Sequence, residues 1–176
     1  MSNQITPDRY HPIHVVLHWL VAIVTIFLLA VGLLVFPNTP NSQELQMLGM
    51  HKTAGMFLGL LMVGRLITRF VFKRPAPADA GHPLLNLAGK VVHFLLYIGV
   101  FAIMFAGGSL SLAYGLDNIL KGIGTIPEDL FIYPQLSAHG NISYILIGLI
   151  AMHFGAALYH QFIRRDNLLS RMWFGK

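Results

Sequence analysis

Nine histidines stand in 176 residues, and most of them fall inside long apolar runs. An imidazole in such a setting serves as a metal ligand, a proton carrier or a packed hydrogen-bonding group. Spacing is what separates these uses. His139 and His153 are 14 residues apart, and His160 follows seven later. On one α-helix that is close to four turns and then two, so all three share a stripe, with about 21 Å between the first two. His14 and His18 are one turn apart in the first apolar run, and His51 and His93 lie in the second and third. His11 and His82 sit in flanking segments, where solvated or interfacial side chains are expected. Met50 and Met152 neighbour two of these histidines, but adjacent helical positions point about 100° apart, which predicts core packing rather than thioether ligation. Cysteine is absent. That removes disulfides, thiolate zinc sites, iron–sulfur clusters, thiol catalysis and covalent CxxCH haem attachment.

The elements that must position these residues are membrane spans. Charged side chains make up 11% of the chain, against roughly 25% in soluble domains, and 55% of residues are hydrophobic. Four apolar runs reach the ~20 residues needed to cross a hydrocarbon core of about 30 Å. They cover about 13–36, 47–72, 84–114 and 137–163, and no Asp or Glu lies within them. Turn-rich 37–42, proline-rich 74–83 and the long 116–135 segment separate them. Leu130, Phe131, Ile132 and Tyr133 give the last of these a partly buried or interfacial character. The first run is too long for the apolar region of a cleaved signal peptide and lacks a small-x-small site. The expectation is an all-α, integral membrane four-helix bundle in a single domain over 1–176.

Charge sets the orientation. With the N-terminus inside, Arg9, Arg65, Arg69, Lys73, Arg74, Lys90, Arg164, Arg165, Arg171 and Lys176 are cytoplasmic, ten of the 12 basic residues, leaving Lys52 and Lys121 outside. The excess of basic residues on the cytoplasmic side favours cytoplasmic N- and C-termini. The net charge of +5 is confined to short segments between apolar runs, which argues against a nucleic-acid partner and leaves membrane lipid as the surroundings.

Depth then pairs the histidines. Entering from the cytoplasm, the first helix carries His18 in its inner half, level with His153. The second helix descends from outside, so His51 is level with His139. Two imidazoles at each of two levels suit the two faces of a haem plane. Zinc would want more ligands at one level, and usually a carboxylate or thiolate. A haem-free, histidine-lined proton or ion pathway is the weaker alternative.

Several segments resemble the bacterial cytochrome b561 family. Val16-Leu17-His18-Trp19-Leu20 is similar to the opening of that family's first helix. His51 followed by Gly55, Arg65-Leu66 with Arg69, and His93 with Tyr97 continue the likeness. So do His139, Ser143-Tyr144, His153 with Ala156-Ala157-Leu158 and His160, and Arg165-Asp166-Asn167-Leu168-Leu169-Ser170-Arg171-Met172. The resemblance covers nearly the whole chain. It implies two non-covalent haem b groups, with iron held by His18 and His153 on the inner side and by His51 and His139 on the outer side. The His-Trp match selects His18 over His14. Electrons would pass to or from membrane ubiquinone. Some members resemble a superoxide:ubiquinone oxidoreductase, while related cytochromes serve hydrogenases or dehydrogenases.

Around the ligands, Arg65 is deep enough to pair with a haem propionate, and His93 is placed to meet propionate or quinone. Arg69 and Lys73 are better read as headgroup anchors. His160 and the inner basic cluster would supply protons and hydrogen bonds to a quinone. Lys52, next to His51, is one positive site for superoxide on an outer face otherwise carrying Lys121 against Glu44, Asp117, Glu128 and Asp129. Two classes stay open: an enzyme that oxidises superoxide, and a non-catalytic subunit that docks a redox partner protein.

Overall fold

The computed structural model describes residues 7–174. Lys176, counted above among the basic residues, lies outside them. The described residues form helices and loops with no strand. Helix α1 runs Pro12–Ala30 and continues through wider and tighter turns to Asn38; α2 is Asn41–Val71 and α3 Pro83–Ala113. The short α4, Leu116–Leu120, precedes α5, Pro134–Leu158, which continues in a wide π turn, Tyr159–Arg164. Four of these units, 27 to 31 residues each with their extensions, are about 40–46 Å long at 1.5 Å per residue and so project beyond the hydrocarbon core. Helix α2 starts earlier than its apolar run, so Glu44 falls in its first turn. There an acidic side chain faces the positive end of the helix dipole.

Proline and histidine set two of the starts. In both His11-Pro12 and His82-Pro83, proline occupies the first helical turn, where its missing N–H costs nothing. The preceding imidazole accepts a hydrogen bond from the backbone N–H two residues on, Ile13 at 3.3 Å and Leu84 at 3.2 Å. His11 also stacks on Phe72, with ring centres 3.7 Å apart. These two histidines cap helices, with His82 exposed and His11 half-buried in the flanking position expected of them.

The helices associate as two antiparallel hairpins, α1 on α2 and α3 on α5, with sparser packing between the hairpins. Along α3 and α5, Gly99 opposes Leu146 and Gly107 opposes His139. Between the two hairpins lies an apolar layer of Val21, Leu28, Leu29, Leu58, Leu61, Met62, Val100 and Leu146. Outside it, only 17–22% of the most apolar stretch of each span is buried within the protein. A surface that apolar requires lipid, not water. Met50 and Met152 belong to it, 52% and 54% exposed, which corrects the expectation that they pack in the core.

The long connection after α3 is ordered by α4. Leu116 and Ile119 are buried under the ends of the helices, while Phe131 and Ile132 are exposed. This combination fits a segment lying along the membrane interface.

Candidate functional site

Helix α5 carries histidines at two levels, and each meets a partner from the other hairpin. The ring centres of His18 and His153 are 6.1 Å apart with planes at 77°, and those of His51 and His139 are 6.1 Å apart at 72°. Two metal–nitrogen bonds of about 2 Å laid end to end, with a ring radius added at each side, span about 6 Å between ring centres. Both pairs therefore stand at the separation a single metal between two imidazoles requires. Among the described residues, no group of three or more His, Asp or Glu converges as a zinc site would need.

The second nitrogen of each ring decides which nitrogen is available. The Nδ1–H of His139 donates to the Ile103 carbonyl at 3.0 Å, because a carbonyl only accepts. This leaves the Nε2 lone pair free and fixes the ring's orientation, as is usual for a metal-binding imidazole. Gly107 makes room for it. A Cβ there would lie 2.9 Å from His139 Cε1 and 3.0 Å from its Nδ1. Among the described residues His51 Nδ1 is buried without a hydrogen-bond partner, and Phe36 packs edge-on against its ring at 5.5 Å.

At the other level, the one nearer the termini, a cavity of about 110 Å³ is bounded by His18, His153, His93, Thr25, Arg65 and Tyr97 among apolar side chains. His93 stands 4.9 Å from His153, and its Nδ1–H donates to the Gly89 carbonyl at 2.7 Å. Arg65 Nε–H donates to the Tyr97 hydroxyl at 3.0 Å, while Nη1 is buried without a hydrogen-bond partner among the described residues. Arg69 also lies over the Tyr97 ring, at 5.5 Å. An unpaired guanidinium nitrogen beside paired imidazoles suits the carboxylate of a haem propionate. The donor set thus fits haem b at both levels.

His14 is turned to other partners. It is 5% exposed and stacks on Tyr10. The Thr68 hydroxyl gives its proton to the Arg65 carbonyl, so His14 Nδ1–H donates to Thr68 Oγ1 at 2.9 Å. The ring is a clamp between α1 and α2.

The remaining expected site residues are placed differently. Lys52 forms an ion pair with Asp117 of α4, and this bond holds the Asp117 carboxyl below its ordinary range. Its charge is therefore neutralised locally rather than standing alone beside His51. His160 is buried but is not among the residues bounding the cavity. Its Nδ1 bonds Asp166 Oδ2 at 2.6 Å. The chain ends α5 by bonding Asp166 N–H back to the His160 carbonyl, with Arg165 left-handed at φ 55°. This is a Schellman-type stop with arginine where glycine is usual.

Asp166, Thr68 and Gly107 carry functional or positioning contacts that the histidine pattern did not reveal. The available signal for Asp166 was an acidic residue directly after two arginines at the end of the last span.

Residues 9–175 match the family model described as prokaryotic cytochrome b561. Cytochrome b561 homolog 2 of Escherichia coli (strain K12) is 30% identical, with 98% of this chain and 95% of the relative covered. Homolog 1 of the same organism is also 30% identical, over 94% and 97%. A protein of Yersinia pestis named "Probable superoxide oxidase CybB" is 29% identical, over 93% and 95%. With four membrane-length helices around paired imidazoles, and with these matches over nearly its whole length, the chain belongs to the prokaryotic cytochrome b561 family of haem b-binding membrane electron carriers.

Proposed function

We propose that this membrane cytochrome holds two haem b groups without covalent attachment and carries electrons from a donor at the outer face to ubiquinone. His18 and His153 would hold one group; His51 and His139 would hold the other. The observation that carries this reading is the common 6.1 Å separation of two independent histidine pairs at two levels of α5. Held by these paired imidazoles, haem would supply one-electron transfer. The chain's own residues fix where this happens. His139 is oriented through Ile103, Arg65 offers charge to a propionate, and the apolar layer around Leu146 keeps water from joining the two levels. That layer also argues against a haem-free proton or ion path.

The excess of basic residues at the end bearing the termini supports cytoplasmic N- and C-termini. Superoxide is the favoured outer donor, because a relative of this chain is named a superoxide oxidase. A quinone is placed near His160, which lies beyond the inner pair on the same helix and can carry a proton. The second reading, a subunit docking a soluble redox protein, is favoured by the Lys52–Asp117 pair. It leaves Glu44, Glu128 and Asp129 to make the outer face acidic, which would repel an anion.

Pyridine haemochrome analysis of the purified protein is expected to give about two haems per chain, and one or none would overturn the two-level scheme. Solubilised protein is expected to consume superoxide faster than spontaneous dismutation, with matching formation of ubiquinol. Superoxide that reduces neither haem would leave the docking subunit, recognised by a co-purifying dehydrogenase or hydrogenase.

A further inference from the structure

Where α5 ends, a histidine and a carboxylate are joined apart from the two ligand pairs. His160 is 6% exposed, and its Nδ1–H donates to Asp166 Oδ2 at 2.6 Å. The side chain of Asp166 is 33% exposed and borders a polar groove of about 410 Å³. That groove lies between the segments at Arg9, Pro75 and Arg171. The pair thus has one member behind the surface and one at the water's edge. Its geometry is held against backbone preference: Arg165 and Asn167, on either side of Asp166, both take left-handed φ values of 55° and 56°. Non-glycine residues are uncommon there, and two in three positions form a turn that brings the carboxylate back to the ring.

The Asp166 carboxyl is pushed up by burial, but hydrogen bonding and charge from His160, the Leu168 N–H and Arg164 carry it below its ordinary range. It is therefore an anion next to the imidazole. Arg164 and Asp79 also face this corner, with Arg164 Nη2 donating to the Asp79 carbonyl at 3.1 Å. The Tyr159 ring packs edge-on to His160 at 5.9 Å. Asp8, Arg9 and Arg171 border the groove itself.

We propose that Asp166 is a positioning residue that holds His160 as the proton donor to the quinone, its carboxylate reaching the ring from the edge of the groove. This rests on the quinone reading given above. Reduction of a quinone to a quinol takes two electrons and two protons. The electrons come one at a time from the histidine-held centres. Each proton leaves His160 Nε2–H for a quinone oxygen, while Nδ1–H stays in its bond to Asp166. Water returns a proton to Nε2 once the quinol has left. The carboxylate keeps a proton on Nδ1 and prevents the ring from turning.

The test uses the intact protein with its haems reduced by a stoichiometric amount of dithionite, mixed rapidly with a short-chain ubiquinone while haem absorbance is followed. In Asp166→Asn, reoxidation is expected to slow about 100-fold, with the haem spectrum, haem content and quinone concentration for half-maximal rate unchanged. Asp166→Glu is expected to recover most of the rate. The wild type is expected to slow in deuterated water. Equal rates in wild type and Asp166→Asn would overturn the role of Asp166 alone. Slowing accompanied by haem loss, or unrelieved by Asp166→Glu, would make the pair a structural clamp and also overturn it. A wild type that quinone does not reoxidise would overturn the quinone reading, and this proposal with it.

Discussion

His18→Ala is expected to halve the haem content, removing the group at the level nearer the termini and leaving the other spectrally intact. His153→Ala should behave in the same way, because each ring is half of a pair separated by 6.1 Å. A haem with one axial imidazole removed keeps an open or water-filled position, and its low-spin spectrum is lost even where some haem stays bound. His14→Ala is the discriminating control. Its ring lies one turn away and is buried, yet it stacks on Tyr10 and bonds Thr68 instead of meeting the His153 ring as His18 does. That variant is expected to keep both haems and to lose only about 1–3 kcal/mol of stability through the broken buried hydrogen bond. Loss of a haem in His14→Ala, with none in His18→Ala, would reverse the assignment on α1.

Gly107→Val is expected to empty the level at the opposite end while leaving the first occupied. No ligand is touched by this change. A Cβ at position 107 already comes within 2.9 Å of the His139 ring, and two further methyl groups cannot be accommodated without pushing that ring away. The ring has little freedom to yield, since its Nδ1–H is tied to the Ile103 carbonyl. Gly107→Ala, whose Cβ alone forces a shift of the His139 ring, is expected to weaken haem retention by about tenfold, the lower end of what disturbing a ligand's supporting contacts costs. Haem titration of the apoprotein of each variant measures both effects. Full occupancy in Gly107→Val would mean that His139 is not held against α3 as described.

Much of the architecture was legible in the residues alone, because the quantities that define it are local. Span length, hydropathy and the prolines at 37, 40, 75, 77 and 83 are read along the chain without knowledge of partners. The two-level arrangement was legible for the same reason. A separation of 14 residues within one uninterrupted helix fixes two depths on one face, whatever packs against it. Depth alone then matched His51 to His139. It left His14 and His18 unresolved, since one helical turn separates them and both point broadly inward.

What the tertiary structure alone decided were the contacts that depend on rotation and on chain reversal. The rotation of α1 against α2 gives His14 to Thr68 and turns His18 toward α5. The approach of α3 brings His93 to within 4.9 Å of His153, which spacing along its own helix does not encode. Lys52 looked like a free positive charge until α4 brought Asp117 to it across 65 residues of chain. Asp166 reaches His160 because the chain reverses through two left-handed residues that are not glycine, and composition gives no warning of that turn. The sequence by itself determined the four spans and the depth of each imidazole, because helical rise is the same at every residue. Which rings face a metal, which carry hydrogen bonds and which charges are cancelled depended on how the helices rotate and where the loops fold back, and only packing fixes those.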